Sequence, residues 1–168
     1  MFAIYKSHNN SLYIKLIELS RNVFFYKKLL LKDTFLTRLN LVFIHFSIIL
    51  IVFNKKNKDK IKFPQNIFDN IFQNIEYHLR ELGHGDVAVN KKMKLLTQKF
   101  YDILLKIKKD GNSDFKINQL ALQKHLELSN ESKIQISDKL ASYFEEFYKF
   151  CFELDDNSVL KGEIKFKY

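Results

Sequence analysis

The stretch from residue 66 to residue 101 carries two amphipathic patterns on either side of a glycine-containing corner. In the first pattern the apolar residues fall within an arc of about 140°, at about 100° per residue, as in a helix that packs one face on a core. These residues are Ile67, Phe68, Ile71, Phe72, Ile75, Leu79 and Leu82. Gly83 follows the last of these apolar residues, at the position where a left-handed helix cap favours glycine. Gly85 and Asp86 are predicted to turn the chain into the next segment.

The second pattern begins near Val89 and repeats the three- and four-residue spacing of a helix. Its apolar residues are Met93, Leu96, Phe100, Leu104 and Ile107. The lysines predicted to be exposed are Lys91, Lys92, Lys94 and Lys99. The two patterns and the corner together predict an αα-hairpin.

Residues that interrupt helices are rare, since one Pro and four Gly occur in 168 residues. The chain is 46% hydrophobic, enough for one sizeable core, and it is too short for two ordinary domains with a linker. We therefore predict an all-α fold, a single-domain helical bundle of about five to six helices over residues 1–168. The αα-hairpin and a central buried helix are its main features.

The central helix is predicted at residues 35–53, which are apolar almost all round. Such a run raises a transmembrane alternative, because about 20 apolar residues span a bilayer. Arg38, Asn40, His45 and Ser47 argue against this alternative. Only the 13 residues from Leu41 to Phe53 are nearly uninterrupted, so we favour a helix buried within the bundle.

The flanking segments are also predicted to be helical. Residues 11–31 carry a loose helical stripe that could break near Asn22, and either Asp33 or Thr34 can cap the central helix. After residues 108–114, two further helices are expected, the last one capped by Ser132 with Gln135 or by Ser129. Its apolar stripe is Ile136, Leu140, Tyr143, Phe144, Phe147, Cys151 and Leu154. The tail, residues 163–168, is expected to lie extended against the bundle.

The net charge of +9 favours anionic partners, although residues with A/T-rich codons would raise the lysine content without selecting a partner. Residues 54–64 form a lysine-rich connector that we interpret as a solvated loop. The alternative is contact with an anionic membrane or a ribosome through Lys55, Lys56, Lys58, Lys60 and Lys62. No specific DNA site is indicated.

Two ordered motifs resemble the ubiquinol-cytochrome c chaperone family. One is LRELGHGD, followed by V-x-K-K-M-K and FY, over residues 79–101. The other matches at Ser20, Arg21, Phe25, Tyr26, Asp33, Thr34, Arg38, Leu41 and His45. The resemblance implies an α-helical assembly factor for the cytochrome bc1 complex that binds newly made cytochrome b, with a small second chaperone subunit as a further partner. The chain departs from the family pattern at Asn40, His84, Asp102 and Ile103, and at residues 30–32.

The motif residues are the candidates for partner binding. They are Ser20, Arg21, Phe25, Tyr26, Asp33, Thr34, Arg38, His45, Arg80, Glu81, Gly83, Gly85, Asp86, Lys91, Phe100 and Tyr101. Several have a structural alternative: Asp86 as a helix cap, Arg80 and Glu81 as a solvated face, and both corner glycines as backbone geometry.

No motif for catalysis is present, since the chain lacks a phosphate-binding Gly-rich loop, HExxH and Gly-x-Ser-x-Gly. We predict a protein that is not an enzyme and has no cofactor and no metal. The single cysteine, Cys151, fits a reducing compartment and is expected to be a buried, inert thiol. His78 and His84 are six residues apart, the wrong spacing for two metal ligands on one helical face.

Arg38 and His45 are seven residues apart and share a face of the central helix. We interpret His45 as a hydrogen-bonded core histidine. The alternative is a polar handle for a partner or a haem propionate, and a haem-handling role for His45 or His84 is the third candidate function. The first ten residues lack the pattern of a secretory signal, which predicts a cytoplasmic protein. The alternative is a location peripheral to the cytoplasmic face of the inner membrane.

Overall fold

The computed structural model describes residues 11–58, 60–111, 114–128 and 133–168. Seven α-helices occur in these residues: α1 (Ser11–Ser20), α2 (Phe35–Asn57), α3 (Gln65–Glu81), α4 (Asp86–Lys106), α5 (Gln119–His125), α6 (Lys133–Glu153) and α7 (Asp156–Leu160). A π-helical turn spans Phe24–Lys28. No strand occurs in the described residues, so the all-α prediction is confirmed.

Helix α2 is the centre of the bundle and packs against α1, α4 and α6. Every residue from Leu39 to Leu50 is buried, as predicted for a central helix. By length and composition α2 could cross a membrane, but 72% of its most apolar 18-residue window is buried inside the protein. The hydrophobic effect therefore holds α2 within a core that the surrounding helices supply.

Both ends of α2 are held by side chains. Thr34 is the cap at the start, since its hydroxyl oxygen accepts a hydrogen bond from the backbone N–H of Thr37 at 3.1 Å. At the other end α2 continues to Asn57, so the prediction of a loop from residue 54 was wrong. The last turn is anchored to Asp156, which pairs with Lys56 at 3.0 Å and accepts a hydrogen bond from the Asn57 side chain at 2.9 Å.

Helices α3 and α4 form the predicted αα-hairpin. Gly83 has φ +87°, and its N–H donates to the Arg80 carbonyl at 3.0 Å while the N–H of His84 donates to the Leu79 carbonyl at 3.4 Å. These two bonds are those of a Schellman cap. The predicted left-handed cap at Gly83 is therefore confirmed.

Three details of the corner differ from the prediction. Leu82 is the C-terminal cap residue and is 54% exposed, so it is not part of the buried stripe of α3. Gly85 has φ −71° and ψ 163°, an extended conformation that any residue adopts, so glycine is not required there. Helix α4 begins at Asp86 instead of near Val89, and the Asp86 side chain does not cap it.

Replacing Gly83 by valine is expected to lower the free energy of unfolding by about 1–3 kcal/mol, because a β-branched residue is penalised at positive φ. Thermal or denaturant unfolding measures the change. The control is Glu81→Ala, whose side chain is 57% exposed and should be nearly neutral. Equal stability of Gly83→Val and the unmodified protein would contradict a left-handed cap.

The N-terminal segment breaks where predicted. Helix α1 ends at Ser20, and the Asn22 side chain accepts a hydrogen bond from the N–H of Phe24 at 3.0 Å, which starts the π-helical turn. The π-helical turn itself was not predicted. It places the Phe25 ring in the core, 4.9 Å from the ring of Tyr143.

The C-terminal region contains the two expected helices, α5 and α6, and in addition the short α7. The proposed caps Ser129 and Ser132 lie outside the described residues. Cys151 is buried, and burial raises the pKa of its thiol to about 12, so the predicted inert thiol is supported. The tail lies against the bundle, with the Phe166 ring 5.3 Å from that of Phe147.

Candidate partner-binding site

A pocket of about 190 Å³ lies where the end of α1, the start of α2 and the second half of α3 meet. Its polar lining residues are Ser20, Arg21, Arg38 and His78. The apolar lining comes from Ile17, Leu39, Val42 and Ile75, with the rings of Tyr13 and Phe35. The pocket therefore has an apolar floor and a cationic rim.

Residues of the first motif hold one side of this pocket together. The Arg38 guanidinium pairs with Asp33 at 2.6 Å, and this hydrogen bond holds the pKa of Asp33 below its usual value. The Tyr26 hydroxyl donates to the Ser20 carbonyl at 2.7 Å. Burial, together with the nearby Asp33 carboxylate, raises the pKa of Tyr26 to about 12, so it remains a neutral donor.

The segment of α3 just before the second motif reaches the same pocket through Ile75 and His78. The His78 ring stacks on that of Phe35 at 5.4 Å, which joins α3 to the start of α2. Arg80 links the two helices of the hairpin. It pairs with Glu76 of α3 at 2.9 Å and, across the Gly83 cap, with Asp86 at the start of α4. Hydrogen bonds to Glu76 and Asp86 raise the pKa of Arg80. Arg80 therefore stabilises the corner through two ion pairs.

Four of the candidate residues are buried. Ser20, which lines the pocket, is 1% exposed, and the other three are in the core, where they contact other helices. Phe25, His45 and Phe100 are each 0% exposed. His45 Nδ1 lies 2.7 Å from the Leu41 carbonyl oxygen and Nε2 lies 2.9 Å from the Tyr143 hydroxyl. Burial lowers the pKa of His45 to about 4, so the ring is neutral at pH 7.

Arg38 and His45 do not form the shared polar site that was considered for a partner or a haem propionate. Arg38 lies at the surface end of α2 and is paired with Asp33, whereas His45 is two turns deeper and enclosed by aromatic rings. The two side chains share a helical face, but the surrounding helices cover only the deeper one. His45 has the hydrogen-bonded core role that we favoured from the sequence.

The remaining candidates are distributed over two surfaces. Arg21, Asp33, Thr34, Glu81, Gly83, Gly85 and Asp86 are exposed near the pocket and the corner. Lys91 and Tyr101 are exposed on α4 and do not line the pocket. The structure therefore brings most of the exposed candidates to one end of the bundle.

The family model described as ubiquinol-cytochrome C chaperone matches residues 27–166. The chain belongs to the ubiquinol-cytochrome c chaperone family. The match includes α2 to α7, and so it extends beyond both motifs into the C-terminal helices. Ser20, Arg21, Phe25 and Tyr26 of this chaperone precede the matched residues.

The crystal structure of a Cbp3 homolog from Brucella abortus is similar to the chaperone, with a TM-score of 0.67 and 21% sequence identity. The alignment covers 94% of this chain and 87% of the Brucella chain. At this level of identity the match shows a shared fold. Among curated proteins, none matches the chain.

Two of the chaperone's departures from the family pattern meet at His125 on α5. The Asn40 amide donates to the His125 carbonyl at 2.7 Å, and Asp102 Oδ2 lies 3.1 Å from His125 Nε2. Asp102 also pairs with Lys106 and with Lys124, and these bonds lower the pKa of Asp102. Together these residues attach α5 to α2 and α4.

Sequence reasoning missed several residues that line the pocket. Tyr13 and Ile17 precede Ser20 and Arg21 by helical spacings of seven and four residues, so the shared face of α1 was visible in the sequence. Phe35 and His78 gave no such signal, because their contact joins two helices that are far apart along the chain. His78 was considered only as a metal ligand.

The histidines of the chaperone are engaged in separate places. His84 Nε2 lies 3.1 Å from the Lys92 ammonium, whereas His78 stacks on Phe35. Among the described residues, no group of three or more His, Cys, Asp or Glu side chains could hold a metal ion.

The five connector lysines are not equivalent. Lys56 pairs with Asp156 and also donates to the Leu154 carbonyl, and the Lys55 ammonium lies 5.9 Å from the centre of the Tyr148 ring. Lys58, Lys60 and Lys62 are exposed after the end of α2. The basic surface of the connector therefore consists mainly of these last three lysines.

Proposed function

We propose that this chain is an assembly chaperone for the cytochrome bc1 complex and that its client is newly made cytochrome b. The family match over residues 27–166 carries this proposal, and the shared fold with the Brucella protein supports it. We infer a non-enzymatic role, because the sequence contains no catalytic motif and the family is one of chaperones.

We place client binding at the end of the bundle that contains the pocket and the corner. Four apolar residues there are exposed, by 38% to 72%: Phe35, Leu36, Leu82 and Val87. Phe35 contacts His78, which lies one turn before Leu82, so the start of α2 and the corner are adjacent. Apolar patches rimmed by charge are typical of protein interaction sites, and an unfolded client exposes complementary apolar surface.

Co-purification tests this placement directly. A tagged copy of the chain is expected to recover cytochrome b from cells, and Val87→Glu should lower the recovery about tenfold, because a desolvated contact loses an apolar group and gains a charge. Leu105→Glu is the matched control, since Val87 and Leu105 are both on α4 and are 72% and 77% exposed. Equal recovery with both variants would contradict binding at the corner.

The alternative function is a peripheral membrane- or ribosome-binding module that uses the basic surface. The exposed Lys58, Lys60 and Lys62 favour it, because adjacent lysines attract anionic surfaces. It is compatible with chaperone activity near the cytoplasmic face of the inner membrane, where we propose that the protein acts.

Flotation with anionic vesicles and co-sedimentation with ribosomes, each over a salt series, test this alternative. If the connector binds, replacing these three lysines by glutamine should abolish binding at low salt, and binding of the unmodified protein should weaken as salt rises. The control is the triple replacement of Lys91, Lys92 and Lys94, which removes equal charge from α4. Equal loss in both triple variants would indicate a general charge effect and contradict a connector site.

A further inference from the structure

The pocket at the ends of α1, α2 and α3 has one cationic group that the fold leaves available. Arg38 is committed to Asp33 at 2.6 Å. Arg21, in contrast, is exposed at the rim, and within the described part of the chain no ion pair joins its guanidinium to a carboxylate. A guanidinium with free donors is suited to a planar anion such as a carboxylate.

No acidic residue lines the described pocket. The two carboxylates near it contact residues of its rim, and Asp33 is also close enough to attract Arg21 electrostatically. Asp33 is held by Arg38, and Glu81 Oε2 lies 3.9 Å from His78 Nδ1. The floor is apolar and consists mainly of Ile17, Val42 and Ile75. A ligand that fits both parts has an apolar body and a single negative group at its edge.

The volume limits the size of this ligand. At about 190 Å³ the pocket is larger than a cavity that holds one benzene molecule, about 150 Å³, and smaller than ordinary drug-sized sites of about 300 Å³ or more. One aromatic ring or branched aliphatic group with a short stem fills it. A whole phospholipid or porphyrin does not fit inside it.

We propose that this pocket binds a small apolar group that carries a carboxylate, with the apolar part on the floor of Ile17, Val42 and Ile75 and the carboxylate paired with Arg21. Two sources supply this chemistry. One is a free small aromatic or branched-chain acid, and the other is an aromatic side chain next to an acidic residue in a partner polypeptide. The inference does not depend on cytochrome b being the client.

The probe is 3-phenylpropanoate, with 3-phenylpropanamide as its uncharged counterpart, and binding is followed by NMR titration of the full chain. We expect saturable shifts at the amides of Ser20, Arg21 and His78, and at least tenfold weaker binding of the amide. An acetylated tetrapeptide containing Phe-Glu distinguishes the sources: tighter binding of the peptide indicates a partner chain, and tighter binding of the free acid indicates a small molecule.

Two variants test the two parts of the site separately, namely the Arg21 contact with the carboxylate and the apolar floor. Arg21→Gln should weaken binding of 3-phenylpropanoate about tenfold without changing binding of the amide, and Arg21→Lys should restore part of the loss. Ile17→Phe, at a half-buried position, should fill the pocket and weaken both probes. Lys94→Gln, which removes a charge from α4 outside the pocket, is the control and should have no effect.

Equal affinity for the acid and the amide, or equal losses in Arg21→Gln and Lys94→Gln, would overturn the proposal, as would the absence of saturable binding of the acid and the peptide. These outcomes are separate from the co-purification of cytochrome b, which reports on the client and not on the chemistry of the pocket.

Discussion

Phe100→Ala is expected to lower the free energy of unfolding by about 3–5 kcal/mol, the usual cost of removing a fully buried aromatic ring. Phe100 is 0% exposed. Its ring centre lies between 5.2 and 5.8 Å from those of four phenylalanines on other helices: Phe43, Phe46, Phe68 and Phe72. These rings belong to α2 and α3, so the cavity would weaken the contacts of α4 with both helices. Denaturant unfolding with a linear extrapolation measures the change.

Tyr101→Ala is the matched control, because the neighbouring ring is 45% exposed. We expect it to cost less than about 1 kcal/mol. Both residues belong to the FY pair of the family motif, so this comparison separates a packing role from a surface role. Similar losses of stability in the two variants would contradict the assignment of Phe100 alone to the core.

Gly162→Ala should have the second largest effect on stability, about 3 kcal/mol. Gly162 has φ +71°, which costs an L-residue about 1–2 kcal/mol. An added Cβ would also lie 2.5 Å from the Ser11 carbonyl oxygen, and relieving such a contact in a packed region costs about 1–3 kcal/mol. The turn after α7 and the start of α1 would have to separate.

Gly83→Ala distinguishes these two contributions. Gly83 has a similar φ, +87°, but no atom outside its immediate chain neighbours lies within 4 Å of the position that an added Cβ would take. Gly83→Ala should therefore incur only the cost of a positive φ. Its thermal unfolding temperature should fall less than that of Gly162→Ala. Equal destabilisation at the two glycines would show that the approach of residue 162 to α1 is not a tight contact.

Most of the fold follows from apolar spacing, because each long helix buries a stripe against α2. The stripes of α3, α4 and α6 and the continuous apolar run of α2 were all readable at three- and four-residue spacing. The last turn of α2 could not be predicted from spacing, because it depends on Asp156, about a hundred residues away along the chain. Helix α7 has five residues, too few to show a period.

The candidate site was predictable only in part, because a motif does not show which of its residues face the surface. Ser20, Arg21 and Arg38 do meet at the pocket. Phe25, His45 and Phe100 come from the same motifs and are enclosed by rings from other helices. The junction of Asn40 and Asp102 at His125 depends on tertiary contacts that no local spacing reveals.

The most direct test of the chaperone assignment is the amount of assembled cytochrome bc1 complex in a strain that lacks the gene. We expect the complex and the cytochrome b absorbance to fall, and to be restored by the unmodified chain and by Leu105→Glu but not by Val87→Glu. Complex levels and cytochrome b spectra that stay unchanged without the gene would contradict the account.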